Sequence, residues 1–260
     1  MNKLYKLINY EFRCIYKNVL AIGLLLILGQ NFLLYISSRE YLPNGYIPFE
    51  NLISISGVPI VFYICFTMIL ASCIYSVLSN YIGSKSIYTL MTLPQNRSYI
   101  YLSKLFTGIT SILMLIAAQF ISIFCGYALF STSIGTYEDS VLKLEKPVNA
   151  LFLAFIRSDF LRMLFPLNIE SLIYTATIFI SIICSIYYVI YGIQARKYIY
   201  VGLALINVIL IIFVLTYRSN ALTGVWKDHN LSIYSALFLL LSVYYSYQSI
   251  SWIKRGSTLG

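Results

Sequence analysis

The chain has 260 residues, 60% hydrophobic and 10% charged, with a formal net charge of +9 and a mean hydropathy of +0.81. A soluble domain carries roughly 25% charged residues, so this composition excludes an ordinary water-soluble enzyme or binding module. The apolar residues come in runs long enough to cross a hydrocarbon core, which takes about 20 residues of helix. The expected fold is therefore all-α, a single polytopic transmembrane domain over residues 1–260.

The first stretch, Asn2 to Asn18, precedes any apolar run. Asn2, Lys6, Asn9, Arg13 and Lys17 recur at steps of three or four and form one polar stripe, while Leu4, Ile8, Phe12 and Ile15 fall on another face. A basic amphipathic helix of this kind is expected to lie along the inner membrane surface over residues 1–18. About 18 residues precede the apolar run and no A-x-A-like site follows it, so a retained anchor is expected rather than a cleaved signal.

Six membrane spans are predicted, at residues 19–37, 58–80, 105–130, 172–193, 198–217 and 233–252. None contains an acidic or basic residue. Between the first two, Pro43, Asn44, Gly45 and Pro48 predict a turning outer loop. Residues 131–170 form the longest connection. Its second half, Ala150 to Leu167, is apolar but interrupted by Arg157, Asp159 and Arg162, charges too costly for the bilayer centre. It reads as a helix on the outer interface. The last outer loop, Arg218 to Leu231, holds the sole histidine, His229, which reads as a solvated loop residue.

Charge sets the orientation. With both termini inside, the inner segments hold eleven basic residues and one acid, Glu11; the outer ones hold seven basic residues and the other eight acids. This asymmetry is the positive-inside pattern, so the net charge is topological and requires no nucleic acid. The expected location is a membrane that the chain crosses several times. The five cysteines, Cys14, Cys65, Cys73, Cys125 and Cys184, lie in spans or at the inner interface, and no extracellular disulfide framework is expected.

The motifs of catalysis fit poorly. GSKS at residues 83–86 lacks the first glycine of a phosphate loop and has Ser84 where the second belongs. One histidine cannot supply H-E-x-x-H. No metal site, cofactor or catalytic residue is expected in this chain. The polar side chains inside the spans include the amides Gln30, Asn31, Gln119 and Asn207, besides several Ser and Thr, and such amides can bond helices together or line a path. Uncharged spans argue against ion-coupled transport and leave transport powered by another subunit.

The segment between the second and third spans is short and basic. Ser84 is a good N-cap, Lys85 to Leu93 makes about two turns, and Pro94 stops it. Ile87, Leu90 and Met91 face one way, Lys85, Thr89 and Thr92 another. A second start at Asn96 or Ser98 leads through Arg97 and Lys104 into the third span.

The stretch SKSIYTLMTLPQNRSYIYLSKLF, Ser84 to Phe106, together with the surface helix and six spans, resembles the permease subunits of bacterial type-2 ATP-binding-cassette (ABC) exporters of the small six-span type. Members of that group commonly show a short helix ending in leucine-proline, then a basic residue, then a lysine entering the third span. Leu93-Pro94, Arg97 and Lys104 occupy those places. Many members carry an acid early in this helix, where this chain reads Gly83-Ser84-Lys85.

The resemblance implies that residues 83–94 are a coupling helix docking into a separate ATP-binding subunit. Its contacts would come from Gly83, Ser84, Lys85, Ser86, Tyr88, Thr89, Thr92, Leu93 and Pro94, with Arg97 just beyond. Residues 1–18 are similar to the elbow helix of the group. Two permease copies, or this chain and a relative, would sit in the bilayer above two ATPases that hold the ATP and Mg. Gln30, Asn31 and Asn207 would lie near the shared path or dimer interface, with Gln119 a further candidate. The expected cargo is hydrophobic or amphipathic, an antimicrobial peptide or drug. The competing expectation is a non-transporting membrane sensor or assembly scaffold.

Overall fold

The computed structural model describes residues 2–41, 47–79, 96–138, 150–197, 199–222 and 231–255. Among them there is no strand. The helices are α1 (Asn2–Tyr41), α2 (Phe49–Ile55), α3 (Val58–Leu78), α4 (Ser98–Glu138), α5 (Ala150–Arg157), α6 (Asp159–Leu164), α7 (Ile169–Gln194), α8 (Ile199–Leu222) and α9 (Leu231–Lys254).

Among the described residues, five helical stretches are long and apolar enough to cross a membrane: Leu4–Glu40, Val58–Leu78, Ser98–Thr132, Ile169–Gln194 and Val201–Arg218. The expected sixth span lies in α9, which has 24 residues. Its serines, tyrosines and Gln248 dilute the apolar run and keep it out of that set. Leu24, Leu28 and Phe32 of α1, and Leu205, Ile209 and Phe213 of α8, are each at least 60% exposed. Stripes of large apolar side chains on that scale suit hydrocarbon rather than water.

No helix break separates the expected surface helix over residues 1–18 from the first predicted span, since α1 runs unbroken for 40 residues, although the boundary between the two compact units falls between Asn18 and Val19. No proline or glycine interrupts it before Gly23, and the first proline is Pro43. Its length is about 60 Å, twice the roughly 30 Å hydrocarbon core, so hydropathy marked only its middle. The buried stripe is Leu7, Glu11, Ile15, Val19, Ile22, Leu26, Gln30 and Leu34, at helical steps of three and four. Of the expected apolar face only Ile15 is fully buried; Leu4, Ile8 and Phe12 flank the true one, while Lys6, Arg13 and Lys17 are exposed.

The next helices follow from local signals. Pro48 is the extended N-cap of α2, a helix that the turn residues around it concealed. Gly57, at φ +76°, supplies the left-handed residue that separates α2 from α3, and Pro59 sits in the first turn of α3, where its missing N–H costs nothing. Asn96 begins α4: its carbonyl accepts from Tyr99 N–H at 2.9 Å, and its side chain accepts from the Ser98 hydroxyl at 3.3 Å. The Ala150–Leu167 stretch, read as one helix, is two, because Ser158 is extended at φ −74°, ψ 119°. At the end of α7, Arg196 adopts φ 55°, with Lys197 N–H on Gly192 O and Arg196 N–H on Ile193 O, each 3.0 Å. That is a Schellman stop with a non-glycine residue in the left-handed place.

The chain forms two compact units. One comprises residues 1–18, 69–112 and 168–260; the other comprises 19–68 and 113–167. In the first, α7 packs on α8 and α9 through Tyr174, Ile178, Ile211, Val214 and Phe238. Tyr188 stacks on Trp252 at 5.1 Å and tilts onto Tyr245 at 4.6 Å. In the second, Phe49, Leu52 and Ile53 of α2 join Leu34, Val58, Ile123, Phe130, Ala154 and Leu161 in one core. An ion pair, Arg157 to Glu50 at 3.3 Å, ties α5 to α2.

Candidate functional site

The amides proposed from sequence divide between the units. Gln30, Asn31 and Gln119 lie in the second, Asn207 in the first. Gln30 and Gln119 are both fully buried. Gln30 Nε2 donates to Gln119 Oε1 at 2.7 Å and to Val58 O at 3.1 Å, so one side chain of α1 bonds α4 and the start of α3. Asn31, half-buried, donates from Nδ2 to Ile27 O at 2.7 Å and to Ser122 Oγ at 3.4 Å. Ser122 lies one turn after Gln119, which puts both on the same face of α4.

Three atoms of this cluster, Gln30 Oε1, Asn31 Oδ1 and Gln119 Nε2, are buried without a hydrogen-bond partner among the described residues. The cluster therefore joins helices and keeps both donor and acceptor capacity for an uncharged polar group. It holds no acid, base or nucleophile. Substituting Gln119→Leu leaves Gln30 with Val58 O alone and is expected to cost about 0.6–1.7 kcal/mol, the range for interhelical hydrogen bonds in a bilayer. Thermal unfolding of the full chain in nanodiscs measures it.

In the first unit Asn207 of α8 is buried and donates from Nδ2 to Ser181 Oγ at 3.0 Å and Ser185 Oγ at 2.6 Å. Those serines are one turn apart on α7 and present a two-point acceptor to a single amide. Nearby on α7, Cys184 Sγ lies 3.6 Å from Ser246 Oγ of α9, and the Tyr101 hydroxyl of α4 is 3.0 Å from the same serine.

The most polar buried site was not legible as one. From sequence, Glu11 was only an inner-side charge, and Lys104 the basic residue leading into the third span, with nothing to pair them. Both lie within the long helical stretches Leu4–Glu40 and Ser98–Thr132, just outside the predicted spans 19–37 and 105–130. Lys104 Nζ donates to Glu11 Oε2 at 2.9 Å, with side chains 1% and 2% exposed. Tyr187 of α7 donates its hydroxyl to Lys104 O at 3.0 Å, and the Cys73 thiol of α3 meets that hydroxyl. Gly108, one turn beyond Lys104, makes this approach possible: a Cβ there would stand 3.0 Å from Tyr187 Oη and 3.2 Å from Ile183 Cγ2. Glu11 stands four residues from both Leu7 and Ile15 on the buried stripe, which was the available signal.

Of the segment assigned to ATPase docking, Gly83, Ser84, Lys85, Ser86, Tyr88, Thr89, Thr92, Leu93 and Pro94 lie outside the described residues, as does His229. Arg97 is described. Its Nη1 donates to Lys254 O at 3.2 Å, joining the entry of α4 to the end of α9. Among the described residues no group of three or more His, Cys, Asp and Glu is placed to hold a metal ion. No family model, curated protein or solved structure matches the chain.

Proposed function

We propose that this chain is the permease subunit of an ATP-driven exporter of the type-2 ABC class in a bacterial cytoplasmic membrane. On this reading it carries a hydrophobic or amphipathic substrate, such as an antimicrobial peptide or drug, and is not itself an enzyme. α9 completes a set of six spans with both termini inside. A second permease chain, identical or related, completes the path, and two separate ATP-binding subunits supply ATP and Mg.

The supporting observation is how the segment after the docking motif is fastened. Both of its basic residues are tied to other helices: Arg97 to the end of α9, and Lys104 to α1. Movement imposed on residues 83–94 by a nucleotide-driven partner would thus reach three helices through short polar contacts, not through a slack loop. The amide clusters then serve as uncharged linings and ties along apolar helices, suited to a cargo that is itself largely apolar.

Co-expression with the neighbouring reading frames tests the proposal. A P-loop ATPase should co-purify with the tagged full chain. Substituting Leu93→Asp with Pro94→Gly should reduce the retained ATPase roughly tenfold or more, because loss of an interface anchor costs about 2 kcal/mol or above, while membrane insertion persists. Absence of any ATPase with the parent chain, or undiminished retention by the double variant, overturns the reading.

A further inference from the structure

Two full charges in an apolar helix pair are costly, and exchanging a buried ion pair for packed apolar side chains is often neutral or stabilising. Stability alone therefore gives little reason for Glu11 and Lys104. What the pair supplies is register. A single contact at 2.9 Å between side chains that are almost completely buried fixes one turn of α1 against one turn of α4. On the far side of the same α4 turn, the Lys104 carbonyl receives the Tyr187 hydroxyl, and that hydroxyl also meets Cys73.

Side chain and backbone of one residue thus engage two other helices, α1 and α7, and Glu11, Lys104, Tyr187 and Cys73 all belong to one compact unit. Glu11 uses Oε2 on Lys104, and its Oε1 is buried without a partner among the described residues. The carboxylate accordingly depends on Lys104 for its compensation, and the contact holds only while both charges are present.

We propose that Glu11 and Lys104 are a positioning pair that makes the first turns of α1 move as one body with the entry of α4, with Tyr187 extending the joint to α7 and α3. The inference rests on the exporter reading only for what drives the movement, which enters α4 from the segment just before Arg97.

Cys14 is a built-in reporter. It is exposed and lies three residues after Glu11, on the adjoining turn. In the full chain carrying Cys125→Ser, the other exposed thiol being removed, N-ethylmaleimide labelling of Cys14 is followed in membranes. E11Q and K104Q should each raise the labelling rate severalfold, and the charge exchange E11K/K104E should return it to the parent value. Singles that label like the parent, or an exchange as labile as the singles, overturn the pair. If either single variant fails to accumulate, accumulation becomes the readout: the exchange must restore it, and failure to do so overturns the pair.

A second arm uses the co-purified ATPase complex with Mg-ATP. Nucleotide should change Cys14 labelling in the parent and lose that effect in E11Q and K104Q, with recovery in the exchange. A nucleotide response that survives in the single variants overturns transmission through the joint. A normal charge cycle in a parent that ignores Mg-ATP supports the joint and counts against the exporter reading.

Discussion

The variant K104M should lose about 3–5 kcal/mol of folding stability, the cost of removing one partner from a buried ion pair. The reason lies with the partner left behind. Glu11 stays on the buried stripe of α1, 1% exposed, with Oε1 already unpaired and Oε2 newly so. The double variant E11L/K104M removes both charges and fills the space with apolar atoms, so most of that loss should be recovered. Steric-trap unfolding of the full chain in lipid nanodiscs measures both. A K104M cost below about 1 kcal/mol, in the range of exposed pairs, would mean that water reaches the pair in the bilayer. A double variant no better than K104M would mean that the site is held by shape and not by charge.

The second large effect is at Gly108. Carbon atoms in good contact stand about 3.5–4.0 Å apart, whereas a Cβ at this position would lie 3.0 Å from Tyr187 Oη and 3.2 Å from Ile183 Cγ2. Neither neighbour has an easy retreat, because Tyr187 is 2% and Ile183 3% exposed. Gly108→Val should therefore push α7 away from α4. The expected cost is about 1–3 kcal/mol for overpacking, with a further ~0.5–1.5 kcal/mol for the lost Tyr187 to Lys104 hydrogen bond. The same unfolding measurement in a Y187F background separates the contributions. Without the hydroxyl both the closest contact and the bond are gone, so the two substitutions should be less than additive. Strict additivity would show that the crowding comes from Ile183 alone.

The long apolar helices were readable because charge avoids hydrocarbon, and helix ends were not because nothing in hydropathy marks them. Residues 58–80 and 172–193 match α3 and α7 closely, where Pro59 and Asn168 open the helices and Arg196 closes the second. α1 and α4 overran their predicted spans on both sides, since helix propensity continues through Lys17-Asn18-Val19 and through Tyr101-Leu102-Ser103 without a breaker. α2 was hidden by a different error. FENLISI stands between Pro48 and Gly57, a fair start and stop, but the earlier Pro43-Asn44-Gly45 run made the whole region look like loop.

Side-chain pairing was the least legible layer. The polarity of Gln30, Gln119 and Asn207 was plain, and their partners were not, because each partner lies on another helix. Glu11 illustrates the limit best. Counted by sign, it is one acid among inner bases; placed by angle around α1, it points into the core with Leu7 and Ile15. Angle makes it conspicuous. Only the fold supplies Lys104.

That separation along the chain has a consequence for biosynthesis. Glu11 precedes Lys104 by 93 residues, so at about 5–20 residues per second the carboxylate is made roughly 5–20 s before its counter-ion. During that interval a bare charge is expensive in lipid, and water is the cheaper place to wait. In a bilayer the Glu11 turn of α1 would thus stay out of the apolar phase until the entry of α4 arrives with Lys104. Residues 168–260, which complete the unit containing both, come later still. Of the described helices, the one translated before all the others would have its first turns completed among the last.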